Sequence, residues 1–176
     1  EKWINGLVQE LNTPVMRLYA NTDIIGTAIG GAVKNVIAIA TGIADGLGCG
    51  ANARAALITR GLREITRLAT ALGAEEETLT GLAGMGDLVL TCTDDQSRNR
   101  RFGLALGRGD SAEAAKTAIG QTVEGEGATH DTYALAQQHG IRMPITEHLH
   151  QMLAGECSLE DTFTSLLNRQ IKQERH

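Results

Sequence analysis

Ile24-Ile25-Gly26-Thr27-Ala28-Ile29-Gly30-Gly31-Ala32-Val33-Lys34-Asn35-Val36-Ile37-Ala38-Ile39-Ala40-Thr41-Gly42-Ile43-Ala44 is the stretch on which the fold turns. By length it could cross a bilayer, and Gly26-x-x-x-Gly30 has the spacing of a transmembrane packing motif. Much of the run, however, is Gly, Ala and Thr, which are only weakly apolar. Lys34 and Asn35 also sit in its middle, where lipid penalises charge heavily. A helix buried in a protein core accounts for the same pattern, so no membrane span is expected. Asp23 is placed to cap it, and Gly48-Cys49-Gly50 ends it after about Leu47.

The sequence beyond this helix also reads as helical. Between Asn52 and Leu72, Leu57, Gly61, Ile65, Leu68 and Leu72 recur at steps of three and four, while Arg54, Arg63, Glu64 and Arg67 fall largely elsewhere. Shorter helices are expected at about Ala74–Leu82, Asp87–Cys92, Arg98–Leu106, Ser111–Ile119, Gly127–His139, Pro144–Ala154 and Ser158–Gln173. Glu75-Glu76-Glu77 supplies first-turn acid, Pro144 suits a first turn, and Ser158-x-x-Asp161 resembles a capping box. Before the long helix, Glu1–Leu11 reads as a short helix and Val15–Tyr19 as a strand after Asn12-Thr13-Pro14. A lone strand leaves its backbone groups unpaired, so its sheet is expected outside this sequence and the chain is read as truncated. The class is all-α. With aromatics at 3%, its core must come from Ala, Leu, Ile and Val on closely approaching helices.

The 176 residues, 42% hydrophobic and 21% charged, suffice for one compact core. A net charge of -5 argues against nucleic acid, which attracts a basic face. Cys49, Cys92 and Cys157 are odd in number and lack C-x-x-C spacing, which fits a reducing cytoplasm better than a disulfide framework or zinc site. No secretory leader pattern opens the chain. His148 and His150 stand two apart, point apart on a helix, and are expected at the surface without a metal. Gly48-Cys49-Gly50-Ala51-Asn52-Ala53 and Gly107-Arg108-Gly109-Asp110-Ser111-Ala112 match a dinucleotide fingerprint in letters, but no strand precedes either. They read as helix–helix joints.

Three segments carry candidate chemistry. Lys34 inside an apolar run is either a snorkelling residue or a buried functional amine. Asp87, after Gly84-Met85-Gly86, would by itself be a helix cap, and Thr91 lies one turn along the same face. Ser97-Arg98-Asn99-Arg100-Arg101 is a solvated basic helix face or an anion site built from arginine and helix-start N–H groups.

Gly30-Gly31-Ala32-Val33-Lys34-Asn35, Gly84 to Cys92, Ser97 to Gly103 and Gln121-Thr122-Val123-Glu124-Gly125 together resemble the C-terminal, substrate-binding domain of bacterial NAD(P)-dependent glycerol-3-phosphate dehydrogenases, from about Arg17 onward. The resemblance implies a multi-helical domain like the 6-phosphogluconate dehydrogenase C-terminal domain over residues 21–176. Residues 1–20 would be a helix–strand remnant of a Rossmann domain. It implies Lys34 as the catalytic proton donor and acceptor, and Asn35, Asp87, Thr91, Ser97, Arg98 and Asn99 as further substrate contacts. Arg98, Thr122 and Glu124 would touch the NAD or NADP cofactor, which the absent N-terminal domain mainly holds. Thr122 stands where many relatives carry an apolar residue, and Arg100 and Arg101 inherit no contact. The implied reaction interconverts dihydroxyacetone phosphate and sn-glycerol 3-phosphate for phospholipid synthesis in the cytoplasm, and this chain alone should not turn over. A homodimer is compatible with it. Two alternatives remain: another hydroxy-acid or sugar-acid dehydrogenase of the same superfamily, or a non-catalytic dimerisation module whose glycine-rich first helix packs on a twin.

Overall fold

The computed structural model describes residues 2–162, and among them every regular element is helical. The first helix, α1 (Lys2–Leu11), leads into a segment that departs from expectation. Val15–Tyr19 is not a strand. Thr13 and Met16 form an isolated antiparallel bridge, and Asn12 Oδ1 accepts from the Leu18 amide at 2.6 Å. With no neighbouring strand among the described residues to complete a ladder, the segment closes on itself as a turn, leaving Val15 exposed.

The long helix expected from the sequence is α2 (Ile24–Gly46), and Asp23 caps it. Asp23 Oδ1 accepts from the Gly26 amide at 2.7 Å, while its Oδ2 accepts from the Glu75 amide at 2.9 Å, tying the starts of α2 and α4 (Glu76–Thr80) together. The Gly26 N–H bond, opposed by burial and aided by Glu75 and Thr78, holds this carboxyl below its ordinary pKa. By length and composition α2 could span a membrane. Most of its apolar residues are nevertheless used inside the protein, with Ile24 and Ile25 at its start left exposed. Val33, Val36, Ile37, Ile39 and Ile43 are all buried, and α3 (Gly50–Ala71), α5 (Asp87–Thr93), α6 (Arg98–Gly107) and α8 (Glu124–Gln138) pack around them.

The closest of these contacts is with α6, and it is made by glycines. Gly42-x-x-x-Gly46 faces Gly103-x-x-x-Gly107 across the crossing. A Cβ on Gly46 would stand 2.8 Å from Gly107 Cα, and one on Gly42 would stand 2.8 Å from the Leu104 nitrogen. No side chain fits between the two backbones. The motif singled out in the sequence works differently: Gly30 lets α2 pass under the π-helical turn Leu82–Gly86, where a Cβ would lie 3.3 Å from the Ala83 carbonyl oxygen.

The remaining helices are α7 (Ala112–Ile119) and α9 (Pro144–Leu153). Gly48, Gly50 and Gly109 take positive φ, so both fingerprint look-alikes are helix joints, as expected. The last helix predicted, Ser158–Gln173, is helical over residues 159–162 and lies otherwise outside the described residues. Ser158 Oγ does accept from the Asp161 amide, at 3.0 Å.

Three polar residues are placed differently from the sequence reading. Glu64 is buried, because position 64 falls within the apolar spacing 57, 61, 64, 68. Its carboxylate accepts from the Ile145 amide at 2.8 Å and from the Thr146 amide at 3.4 Å, pinning α3 to the start of α9. Burial pushes its pKa up to about 7, against the lowering effect of those N–H bonds and of Arg67. His148 and His150 are half-buried rather than fully at the surface. The ring of His150 stacks on Tyr133 with centroids 4.2 Å apart and approaches His130 Nδ1 at 3.3 Å through its Nε2.

Candidate functional site

A cleft of about 430 Å³ opens where the middle of α2, the end of α5 and the first turns of α6 and α8 converge. Lys34, Asn35, Thr91, Ser97, Arg98, Asn99 and Glu124 all line it. A hollow of about 500 Å³ under residues 12–19 is larger, but its sole charged side chain is Arg17 and no motif residue reaches it.

Each cleft residue is positioned by local structure. Lys34 lies midway along α2 on a helical face that α5 covers only in part, so its side chain is 22% exposed instead of fully buried. Its Nζ donates to Asp87 Oδ2. Asp87 opens α5 directly after the π-helical turn, and Thr91, one turn on, donates from Oγ1 to the Asp87 carbonyl at 2.7 Å. The wide turn is an uncommon geometry that recurs at functional sites. Here it delivers Asp87 to the amine. Asp87 borders the cleft through Lys34 without lining it.

On the opposite wall Ser97 caps α6, its Oγ accepting from the Arg100 amide at 3.3 Å. Arg98, the first residue of that helix, reaches across to Glu124, the first residue of α8, with Nη2 and Oε1 3.4 Å apart. α8 starts at Glu124, earlier than the expected Gly127, and this start brings the carboxylate to the cleft mouth. Asn99 is 7% exposed and joins three helices. Its Nδ2 donates to Asn35 Oδ1 at 2.9 Å, and its Oδ1 accepts from the Gly125 amide at 2.9 Å. Asn99 therefore spends its amide inside the protein and fixes the carbonyl end of the Asn35 amide. Thr122 stands apart, exposed and off the cleft wall.

Sequence reasoning missed Gly31, Leu90, Asp94 and Gln96, which complete the lining. A signal for Gly31 existed in the paired glycines: Gly30 serves packing, whereas a Cβ on Gly31 meets no atom within 4 Å and would project toward the cleft. It also missed the network behind the cleft. Arg100, given no role, is 9% exposed and donates to Asp45 Oδ2 at 2.7 Å and Asp95 Oδ1 at 2.5 Å. Arg54 donates to the same Asp45 oxygen at 2.8 Å. Burial opposes the charge of Arg100, but Asp45 and Asp95 outweigh it and raise the pKa above its usual value. The signal was Asp45 itself, a carboxylate in the last turn of an apolar helix, where the helix dipole disfavours it. Cys92, directly behind Thr91, is fully buried, and burial pushes its thiol up to about 12, so it is no nucleophile.

An ammonium, an amide, a hydroxyl and a guanidinium at a helix start, all facing one cleft beside a carboxylate, have the chemistry to hold a small anion. Among the described residues no group of three His, Cys, Asp or Glu side chains could hold a metal ion. Fold and site together define an all-helical domain built around one glycine-rich core helix, with a cleft lined by cationic and polar side chains. The chain belongs to the family described as NAD-dependent glycerol-3-phosphate dehydrogenase C-terminus, whose sequence model matches residues 23–164.

Individual relatives agree. The chain is 63% identical over 158 residues to a glycerol-3-phosphate dehydrogenase (NAD(P)+) of Haemophilus ducreyi, a match covering 90% of this chain and 47% of that protein. It is 58% identical over 169 residues to the enzyme of the same name from Shewanella halifaxensis, covering 96% and 50%. The crystal structure of glycerol-3-phosphate dehydrogenase from Coxiella burnetii superposes with a TM-score of 0.91 at 53% identity, covering 96% of this chain and 52% of that one. The chain thus spans about half the length of the curated relatives it matches.

Proposed function

We propose that this chain is the substrate-binding half of an oxidoreductase that interconverts dihydroxyacetone phosphate and sn-glycerol 3-phosphate with NAD or NADP, in the cytoplasm, for glycerophospholipid synthesis. The observation that carries the reading is the convergence of Lys34, Asn35, Thr91, Ser97, Arg98 and Asn99 on one cleft. Residues 1–20 are read as the edge of the dinucleotide-binding half and 21–176 as the helical domain. The nicotinamide cofactor, when bound, supplies or accepts the hydride. Within this chain Arg98 and Glu124, both at the cleft mouth, fit one end of such a group, whereas Thr122 would need the cofactor to reach beyond the cleft.

The work of the chain's own residues follows from their positions. Arg98 and the N–H groups of the first turn of α6 bind the phosphate, and Ser97 caps the same turn. That fixes the three-carbon skeleton with its carbonyl toward α2. As hydride reaches the carbonyl carbon, the C=O π electrons move to oxygen, and the Lys34 ammonium gives that oxygen a proton. Asp87 aims the amine, and Asn35, its carbonyl end held by Asn99 and its Nδ2 donating to the Gly31 carbonyl at 3.4 Å, directs its other N–H at the reacting oxygen. In the reverse direction Lys34 takes the hydroxyl proton back. The dimerisation alternative loses support because Gly42 and Gly46 are already occupied by α6.

The test is NADH and NADPH oxidation driven by dihydroxyacetone phosphate, comparing the full-length gene product with its Lys34→Met variant. Turnover by the parent and its loss in the variant is the expected result. A parent that ignores dihydroxyacetone phosphate but reduces a keto acid would move the assignment to the sister dehydrogenases.

A further inference from the structure

Arg100 and Asp95 take no part in the reaction proposed above, yet they link the loop beside the cleft to the core. The wall is the loop 94–97, between α5 and α6. Asp94, Gln96 and Ser97 face the cleft, whereas Asp95 does not line it and reaches Arg100 at 2.5 Å. The loop is otherwise tied only to itself and its flanks. Gln96 N donates to Asp94 Oδ1 at 2.7 Å, Ser97 N to the Asp94 carbonyl at 3.2 Å, and Asp94 N to the Leu90 carbonyl at 3.0 Å. None of these bonds reaches α2. The guanidinium of Arg100 does: one nitrogen holds the loop through Asp95, and another holds the last turn of α2 through Asp45, a carboxylate 10% exposed that Arg54 also grips.

We propose that Arg100, acting through Asp95, is a positioning residue that holds the loop 94–97, and with it Ser97 and Arg98, at the distance from α2 required to bind a phosphate monoester. The inference rests on the proposed phosphate site. Asp95 is 93% exposed, so water could solvate it equally well and its pairing adds little stability. What the pair adds is geometry. A planar guanidinium with both ends engaged leaves the loop few ways to swing.

The sign of the effect separates this role from simple electrostatics. A carboxylate near an anion site repels the anion, so if Asp95 acted through charge alone, removing it would tighten phosphate binding. If Asp95 holds the wall in place, removing it weakens binding.

The experiment measures inorganic phosphate and glycerol 3-phosphate binding by titration calorimetry on the full-length gene product, its Asp95→Asn and Asp95→Glu variants, and Arg98→Ala as a control for the site. The expected result is weaker binding of both ligands by Asp95→Asn, about three- to tenfold, at an unchanged Tm, with at least partial recovery in Asp95→Glu, which keeps the charge. Equal or tighter binding by Asp95→Asn overturns the positioning role while leaving the site intact, provided Arg98→Ala is impaired. Parent and Arg98→Ala binding phosphate alike, or neither binding it, overturns the phosphate site and this inference with it.

Discussion

Lys34 is where the sequence offered the widest choice, and the structure narrows it through one partner. An amine 22% exposed, bonded to the carboxylate of Asp87 and facing a cleft, is neither a snorkelling surface lysine nor a sealed core charge. In the full-length gene product, Lys34→Met should lower kcat by about 10²- to 10⁴-fold, the usual share of a general acid, with a smaller effect on phosphate affinity. Steady-state kinetics with dihydroxyacetone phosphate checks the split. A fall confined to KM would mean that the lysine only binds. Asn99 teaches a different lesson at the same scale. Its place in the motif was legible, but its amide is taken up by Asn35 and Gly125, which only the three-helix junction reveals.

At the scale of elements, the helices were legible because apolar spacing and caps mark them: Asp23 and Pro144 stand at the starts assigned to them, α6 begins at Arg98 as expected, and α7 begins one residue after Ser111. What was not legible was tertiary. Val15–Tyr19 has strand composition but no strand among the described residues to pair with, so composition alone did not decide its conformation. Glu64 follows the apolar spacing yet is charged, and its partners lie 81 and 82 residues away.

Two predictions belong to this scale. Gly42→Ala would force a methyl against the backbone of α6 and should destabilise the protein by about 1–3 kcal/mol or more, read from urea unfolding. Glu64 should make stability depend on pH. Its folded pKa, about 7, lies above the ordinary 4.5, so the fold binds the proton more tightly than the unfolded chain does. This stabilising contribution is complete below about pH 4.5 and is lost as pH rises to about 7, to a total on the order of 1–3 kcal/mol. Glu64→Gln should flatten the stability profile in that window relative to wild type. Parallel profiles for the two proteins would refute the assignment.

At the scale of the molecule, one cleft beside the middle of α2 collects the candidate chemistry and the rest supports it. The cleft residues come from four separate segments of the chain, and their convergence follows from α2 serving as the common neighbour of α5, α6 and α8. A ligand that bridges those helices should stabilise the whole fold. Inorganic phosphate or glycerol 3-phosphate at a hundred times its Kd should add about 2.7 kcal/mol and raise Tm accordingly, and Arg98→Ala should abolish the rise. A scanning-calorimetry series against ligand concentration tests this directly. An equal rise in the variant would place the anion elsewhere.

The glycine seam between α2 and α6 bears on function as much as on packing. Lys34 rides on one of its helices and Arg98 on the other, so the helix separation beneath the proposed proton donor and the proposed phosphate clamp is gauged by two backbones in direct contact. A helix separation set by side chains would widen and narrow as rotamers hop, whereas this crossing rests on backbone, and the loop 94–97 at its edge is what the Arg100 side chain has left to hold. The seam works as a fixed caliper, and a methyl added to either jaw would change the size of molecule the cleft measures before it unfolded the protein.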